Sequence, residues 1–336
     1  MNPVLSRLLE ALSAPSIINN VELRISASMG VTFYPQDSAN ADQLMRHADQ
    51  AMYMAKQAGK NRYHLFDVQH DSYIKNQREL IERIRSAHLK NEFILHYQPK
   101  VNLRTGVVIG VEALIRWQHP EDGLLPPAAF LPIIENQEIS IRIGEWVIDS
   151  ALTQLEIWHA VGLNISVSVN ISAHQLQKHD FVSKLLALLT KHPEINPCYL
   201  ELEILETSAL ENLSDISNVI RICREIGVQF ALDDFGTGYS SLLYLRHLPV
   251  SILKIDQTFV RDMLDDPDDL TIVKGVIGLA TAFRHQVIAE GVETAAHENM
   301  LLSIDCELAQ GYGIARPMPV TDIPEWVVNW EKNADN

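Results

Sequence analysis

Carboxylate and amide side chains recur at one kind of place in this sequence, the C-terminal end of short apolar runs. Glu112 lies late in VVIGVEALIRW, Asn170 ends NISVSVN, and Glu203 and Glu206 close YLELEILE. Asp233 and Asp234 end VQFALDD, Lys254 and Asp256 end ILKID, Glu290 and Glu293 follow QVIA, and Gln310 follows DCELA. One acid at a strand end is an ordinary solvated cap. Acids at strand after strand repel one another unless a cation neutralises them, so metal binding is favoured over a plain acidic rim. Carboxylates with an amide oxygen, and no paired His or Cys, suit a hard ion such as magnesium or manganese. The adjacent Asp233–Asp234 pair can serve two neighbouring ions if successive strand residues point to different sides. A two-metal site suits in-line displacement at phosphorus. None of the 13 histidines forms HExxH or another zinc spacing.

The elements that must carry these residues alternate. After residue 90, apolar runs of strand length are separated by helical segments, which implies parallel strands with helices packed outside. FILHYQPKV and VVIGVEALIRW are joined by NLRTG, too short for a parallel crossover, so that first pair is expected to be antiparallel. The expectation is an α/β fold: a TIM-like (β/α)8 barrel with an antiparallel first strand, whose parallel strand ends converge on one face. An open doubly wound sheet is the alternative, and no GxGxxG follows the first strand to support it. Residues 1–67 read as a small α+β remnant with a helix over Asp42–Ala58, and residues 68–90 as a charged connecting helix with Leu80, Ile81, Ile84 and Ala87 as its stripe. The barrel is expected over 91–336.

Composition bounds the function. Among 336 residues, 47% are hydrophobic and 21% charged, which excludes a disordered chain. Acids outnumber bases 43 to 27, for a net charge of −16, which argues against polymeric nucleic acid as partner. Three cysteines without a CxxC pair suit a reducing, cytoplasmic compartment. No charge-free run of about 18 apolar residues is present, so no membrane contact is expected. Weaker features are GTGYSS (Gly236–Ser241), a loop with backbone donors but no GK[ST], and DDPDD (Asp265–Asp269), read as a solvated helix start. Arg116 can reach a phosphate bidentately or pair with a barrel acid.

Taken together, YQPKV, EALIRW, VNIS, ELEILET, DDFGTGYSS, LKIDQTFV, AEGVET and QGYGIARPMP resemble, in order and over about residues 79–331, the EAL-domain cyclic di-GMP phosphodiesterases. The resemblance implies hydrolysis of cyclic di-GMP to linear pGpG with magnesium or manganese, calcium being inhibitory, and a homodimer formed through the barrel. It implies that Glu112, Asn170, Glu203 and Asp233 hold one metal and Asp234 the second. Lys254 and Glu290 position and deprotonate the attacking water, with Glu290 as general base. Glu206 steadies the DDFGTGYSS loop, and Glu293 and Gln310 complete the metal and water shell. Gln98, Arg116, Gln310 and Pro317 hold substrate. Departures flank the site: IIENQEIS (Ile133–Ser140) lacks the usual acidic pair and glycine, Ser251 replaces a common aspartate, and GIA precedes Arg316 and Pro317. The N-terminal SMGVTFYP and ADQAMYMAKQAGKNRYHLFD resemble the back half of a GGDEF diguanylate cyclase domain, yet no Gly-Gly pair occurs, so its nucleotide and metal residues are missing. The chain therefore resembles a piece of a longer GGDEF–EAL protein. A receptor that binds cyclic di-GMP without hydrolysing it is the alternative, disfavoured because every metal and water-positioning residue is filled. A barrel acting on a sugar phosphate rests on fold analogy alone.

Overall fold

The computed structural model describes residues 3–18, 21–210, 212–237, 245 and 247–334. It divides into two units, Met1–Glu82 and Arg83–Asn336. The first unit opens with helix α1 (Pro3–Ser13) and an antiparallel hairpin of β1 (Ser16–Ile18) and β2 (Val21–Leu23). Strand β3 (Met29–Val31), helix α2 (Ala41–Gln57) and strand β4 (Tyr63–Leu65) follow, with β3 parallel to β4. Asn40 starts α2 with a capping box: its side chain accepts from the Gln43 amide while the Gln43 side chain accepts from Asn40. Ala51 and Ala55 form the buried stripe, and the left-handed Gly59 (φ 109) follows the helix end. β3 lies against α2 because Gly30 carries no side chain; a Cβ there would meet the Ala48 carbonyl at 1.8 Å. Helix α3 (Val68–Leu89) carries the chain into the second unit, where Ile84 and Ala87 are buried.

Strands β5 (Phe93–Asn102) and β6 (Val108–His119) pair antiparallel, as their short connection requires. β8 (Ser166–Asn170), β9 (Leu200–Leu205), β10 (Gln229–Phe235), β11 (Ile252–Ile255), β12 (Gln286–Ala289) and β13 (Leu308–Ala309) then add in parallel order from β6. β13 pairs antiparallel with β5, which closes the barrel. Two short strands beyond that set, β7 (Gly123–Leu125) on β6 and β14 (Met318–Pro319) on β5, widen the sheet at its mouth. Helices pack outside. The longest, Glu138–Ala160, buries Ile139, Ile143, Val147, Ala151 and Leu155, a four-residue repeat that keeps one face on the strands. Inside, Ala231, Ile252 and Ile288 form an apolar cluster with Leu308 against it. Each lies two residues before a polar strand-end residue (Asp233, Lys254, Glu290 and Gln310), so the period-2 pleat stacks a dry layer beneath a charged one.

Candidate active site

Lys254 is the hub of the charged layer. Its side chain is 1% exposed, and its ammonium lies 2.6 Å from Glu203, 2.7 Å from Glu290, 3.0 Å from Asp233 and 3.6 Å from Glu112. The four acids come from β6, β9, β10 and the residue after β12, so the barrel joins groups far apart in sequence. Burial opposes charge on Lys254, but Asp233, Glu112, Glu203 and Glu290 hold it protonated well above the usual lysine range. Burial would likewise push Glu203 up; Lys254 and Lys100 overcome this and hold it at about 2. Glu112, buried and beside Glu203, is pushed up to about 7. Glu290 is raised well above the carboxylate range by burial, with Asp233 and Glu112 adding to the effect.

Amides surround the acids. Asn170 Nδ2 donates to Glu112 Oε1 at 2.7 Å, and Gln310 Nε2 donates to Glu112 Oε2 at 2.8 Å and to Gln98 Oε1 at 3.1 Å. Gln98 Nε2 in turn donates to the Ala315 carbonyl at 3.0 Å. Gln310 Oε1 is buried and makes no hydrogen bond among the described residues, so it is an acceptor suited to a water or a substrate donor.

Asp234 reaches the site by a turn of the backbone. It sits at φ 53, where the register of β10 against β11 shifts between Leu232 and Phe235. A simple strand would send it away from Asp233. The irregularity instead keeps one oxygen each of Asp233, Asp234 and Glu290 within 4.8 Å of one another. Burial, then Asp233 and Asp256, push Asp234 up to about 7. Three carboxylates this close, all oxygen donors, fit a hard divalent cation.

Other sequence-derived residues sit further out. Glu206 opens a short helix after β9 and accepts from the Gly236 amide at 3.0 Å. Residues 238–241 of GTGYSS lie outside the described residues. Arg116 is half-buried, its Nη1 bonded to the carbonyl of Ile115 at 2.9 Å. Pro317 precedes β14, and Arg316 stacks over the Tyr312 ring at 4.4 Å. Glu293 is exposed on the loop after β12 and is not one of the three clustered carboxylates. Asp256 caps the helix Gln257–Asp262 through the Thr258 amide. In DDPDD, Asp266 caps the helix Pro267–Phe283 and Asp268 and Asp269 fill its first turn, the solvated helix start its sequence suggests. A second buried ion pair, Lys100 with Glu201 at 2.8 Å, has no counterpart in the sequence reading. Its signal was available: Lys100 shares the inward alternation of Gln98, and Glu201 that of Glu203.

The EAL domain family model matches residues 81–317, and that of the diguanylate cyclase GGDEF domain matches residues 1–62. The chain is 39% identical over 318 residues to the bifunctional diguanylate cyclase/cyclic di-GMP phosphodiesterase MucR of Pseudomonas aeruginosa, covering 94% of this chain and 46% of that protein. It is 36% identical over 329 residues to the cyclic di-GMP phosphodiesterase PdeR of Escherichia coli, covering 98% of this chain and 50% of that one. It thus spans about half the length of these relatives. A solved structure of the PaMucR phosphodiesterase in complex with c-di-GMP superposes with a TM-score of 0.70 at 39% identity, over 73% of this chain and 99% of that one.

Proposed function

The chain belongs to the EAL-domain family, and on that premise we propose that it hydrolyses cyclic di-GMP to linear pGpG with magnesium or manganese. The observation that carries this reading is the approach of Asp233, Asp234 and Glu290 to within 4.8 Å at the barrel mouth. Glu112, Asn170, Glu203 and Asp233 would hold one cation and Asp234 the second, with Glu293 at their margin. Bound there, the cations supply the positive charge that returns the crowded carboxyls to their ionised forms and polarises water and phosphate oxygens.

The chain's own groups do the rest. Arg116 takes a phosphate oxygen, and Gln98, Gln310 and Pro317 line the substrate's position. The oxygen of a water attacks phosphorus, the P–O3′ bond breaks, the water's proton passes to Glu290, and the departing 3′-oxygen takes up a proton from solvent to become the 3′-hydroxyl. Lys254, 2.7 Å from Glu290 Oε1, orients that carboxylate and the water. Glu206 holds the loop start at Gly236 through its amide.

The domain reading that accompanies this is a partial GGDEF-like segment over 1–67, a connecting helix over 68–90 and the catalytic barrel over 91–336. We further infer a homodimer through the barrel and a cytoplasmic setting. Three unpaired cysteines support the latter, Cys223 and Cys306 being buried and pushed up to about 12 by burial. Among the described residues no helix is long and apolar enough to cross a membrane. Incubation with cyclic di-GMP and magnesium, with products resolved by chromatography, tests the activity, and sedimentation tests the dimer. Production of pGpG is expected. Binding without turnover, in the presence of either metal, would make the chain a receptor instead.

A further inference from the structure

We propose that Lys100 is a positioning residue that fixes Glu203, holding one carboxylate oxygen from beneath so that the other faces the cation-binding acids. Lys100 is fully buried, and its ammonium contacts Glu201 at 2.8 Å and Glu203 Oε1 at 3.5 Å. The other oxygen, Glu203 Oε2, lies 2.6 Å from Lys254, the hub of the charged layer. The two oxygens of one carboxylate are thus divided between two lysines.

Topology explains the direction. β5 runs against its neighbours, so its inward side chains descend from the mouth. Gln98 pairs in register with Glu112, and Lys100 with Gly110, two residues deeper. In β9 the chain ascends, so Glu201 lies two residues below Glu203. Lys100 and Glu201 therefore each lie one inward-facing step below the charged layer, where their side chains meet. A lysine–glutamate pair in place of apolar packing gives little net stability, because desolvating both ions offsets their attraction. Its position beneath Glu203 gives it a use. With Lys100 in place, Glu203 cannot rotate both oxygens towards Lys254 or sink towards the core.

This rests on the metal reading above, and the test separates the two. Manganese binding is measured by calorimetry on the full chain without substrate, with thermal melting of the metal-free protein alongside. The wild type is expected to bind. Lys100→Met/Glu201→Met removes both charges, keeps unbranched side chains of similar size and leaves the net charge unchanged. It is expected to melt cooperatively yet bind manganese about 10- to 100-fold more weakly, the usual cost of losing a partner that orients a ligand. Lys100→Met alone makes the cavity more negative, so charge alone predicts tighter manganese, whereas positioning predicts weaker. Glu201→Gln retains Lys100 and should keep near wild-type affinity; if the double variant does not fold, Lys100→Met decides, and unchanged or tighter manganese there overturns the role of Lys100. Undiminished manganese affinity in the double variant, or loss of it in Glu201→Gln, overturns the role of Lys100. Failure of the wild type to bind any manganese overturns the metal reading instead.

Discussion

The ammonium of Lys254 meets the carboxyl of Glu290 at 2.7 Å, and the same ammonium meets Glu203 at 2.6 Å. Yet the two acids titrate in opposite directions: Glu203 is held at about 2, whereas Glu290 is pushed well above the carboxylate range. The difference is the second lysine. Glu203 has Lys100 as well as Lys254, while Glu290 has Lys254 alone and faces the negative charge of Asp233 and Glu112. One carboxylate is thereby fixed as an anion and the other is left able to exchange a proton, a division of roles suited to a ligand and a base.

Proton and cation should compete at this site. Glu112 and Asp234 are pushed up to about 7 and burial raises Glu290 as well, and a carboxyl must lose its proton to ligate. Magnesium affinity should therefore strengthen as pH rises, by up to about tenfold per pH unit for each proton displaced between roughly pH 5 and pH 8. The sign for stability is the reverse. Acids raised in the folded state bind protons that the unfolded chain has released, so they make the metal-free protein less stable as pH rises through that window. His88, His96 and His285, lowered mainly by burial, act oppositely near their ordinary range. The difference in melting temperature with and without magnesium isolates the carboxyls, and it should grow with pH. A flat difference would count against proton–metal competition.

Calcium should occupy the acids without supporting comparable turnover. Its coordination is longer and looser than that of magnesium, and the attacking water must be held in line with the leaving oxygen. Initial rates with each ion at saturation check this, and equal rates would remove the geometric argument.

How much of this was legible in the residues differs from one to the next. The barrel, its reversed first strand and the polar strand ends follow from alternation and connection length, because local pattern dictates them. Lys100 and Glu201 were less legible: they share the inward alternation of Gln98 and Glu203, but a charge within an apolar strand ordinarily faces water, and both are buried. Asp234 comes close to Asp233 by a route that strand alternation does not suggest. Alternation sends it away from Asp233, whereas its left-handed φ of 53 turns it into the cluster, a property of the backbone that residue type does not encode.

No diguanylate cyclase activity is expected from residues 1–67, which lack the GGDEF motif and any Gly-Gly pair. Product formed from GTP would overturn this. Within that unit the sheet of β3 and β4 has only two strands among the described residues, so each strand has an open edge. Ile17 and Tyr34 are 77% and 74% exposed. Limited proteolysis of a monomeric sample should therefore cut residues 1–67 before the barrel. Equal protection of both would show a sturdier unit than its small sheet implies.

Water activation and metal holding can be told apart by two substitutions. If Glu290 accepts the proton of the attacking water, Glu290→Gln should bind cyclic di-GMP nearly normally but turn over about 10²- to 10⁴-fold more slowly. The amide retains an oxygen donor and, being neutral, cannot take the proton. Asp233→Asn removes charge from the cation site instead, so it should raise the magnesium requirement. Asp233 also lies 3.0 Å from the Lys254 ammonium, and the amide oxygen can keep that contact, so the fold should survive. At saturating magnesium the variants should diverge: Asp233→Asn recovers much of its rate, while Glu290→Gln does not, because no cation concentration restores a proton acceptor. Full recovery of Glu290→Gln with magnesium or manganese would make Glu290 a ligand, and another group would then have to accept the proton.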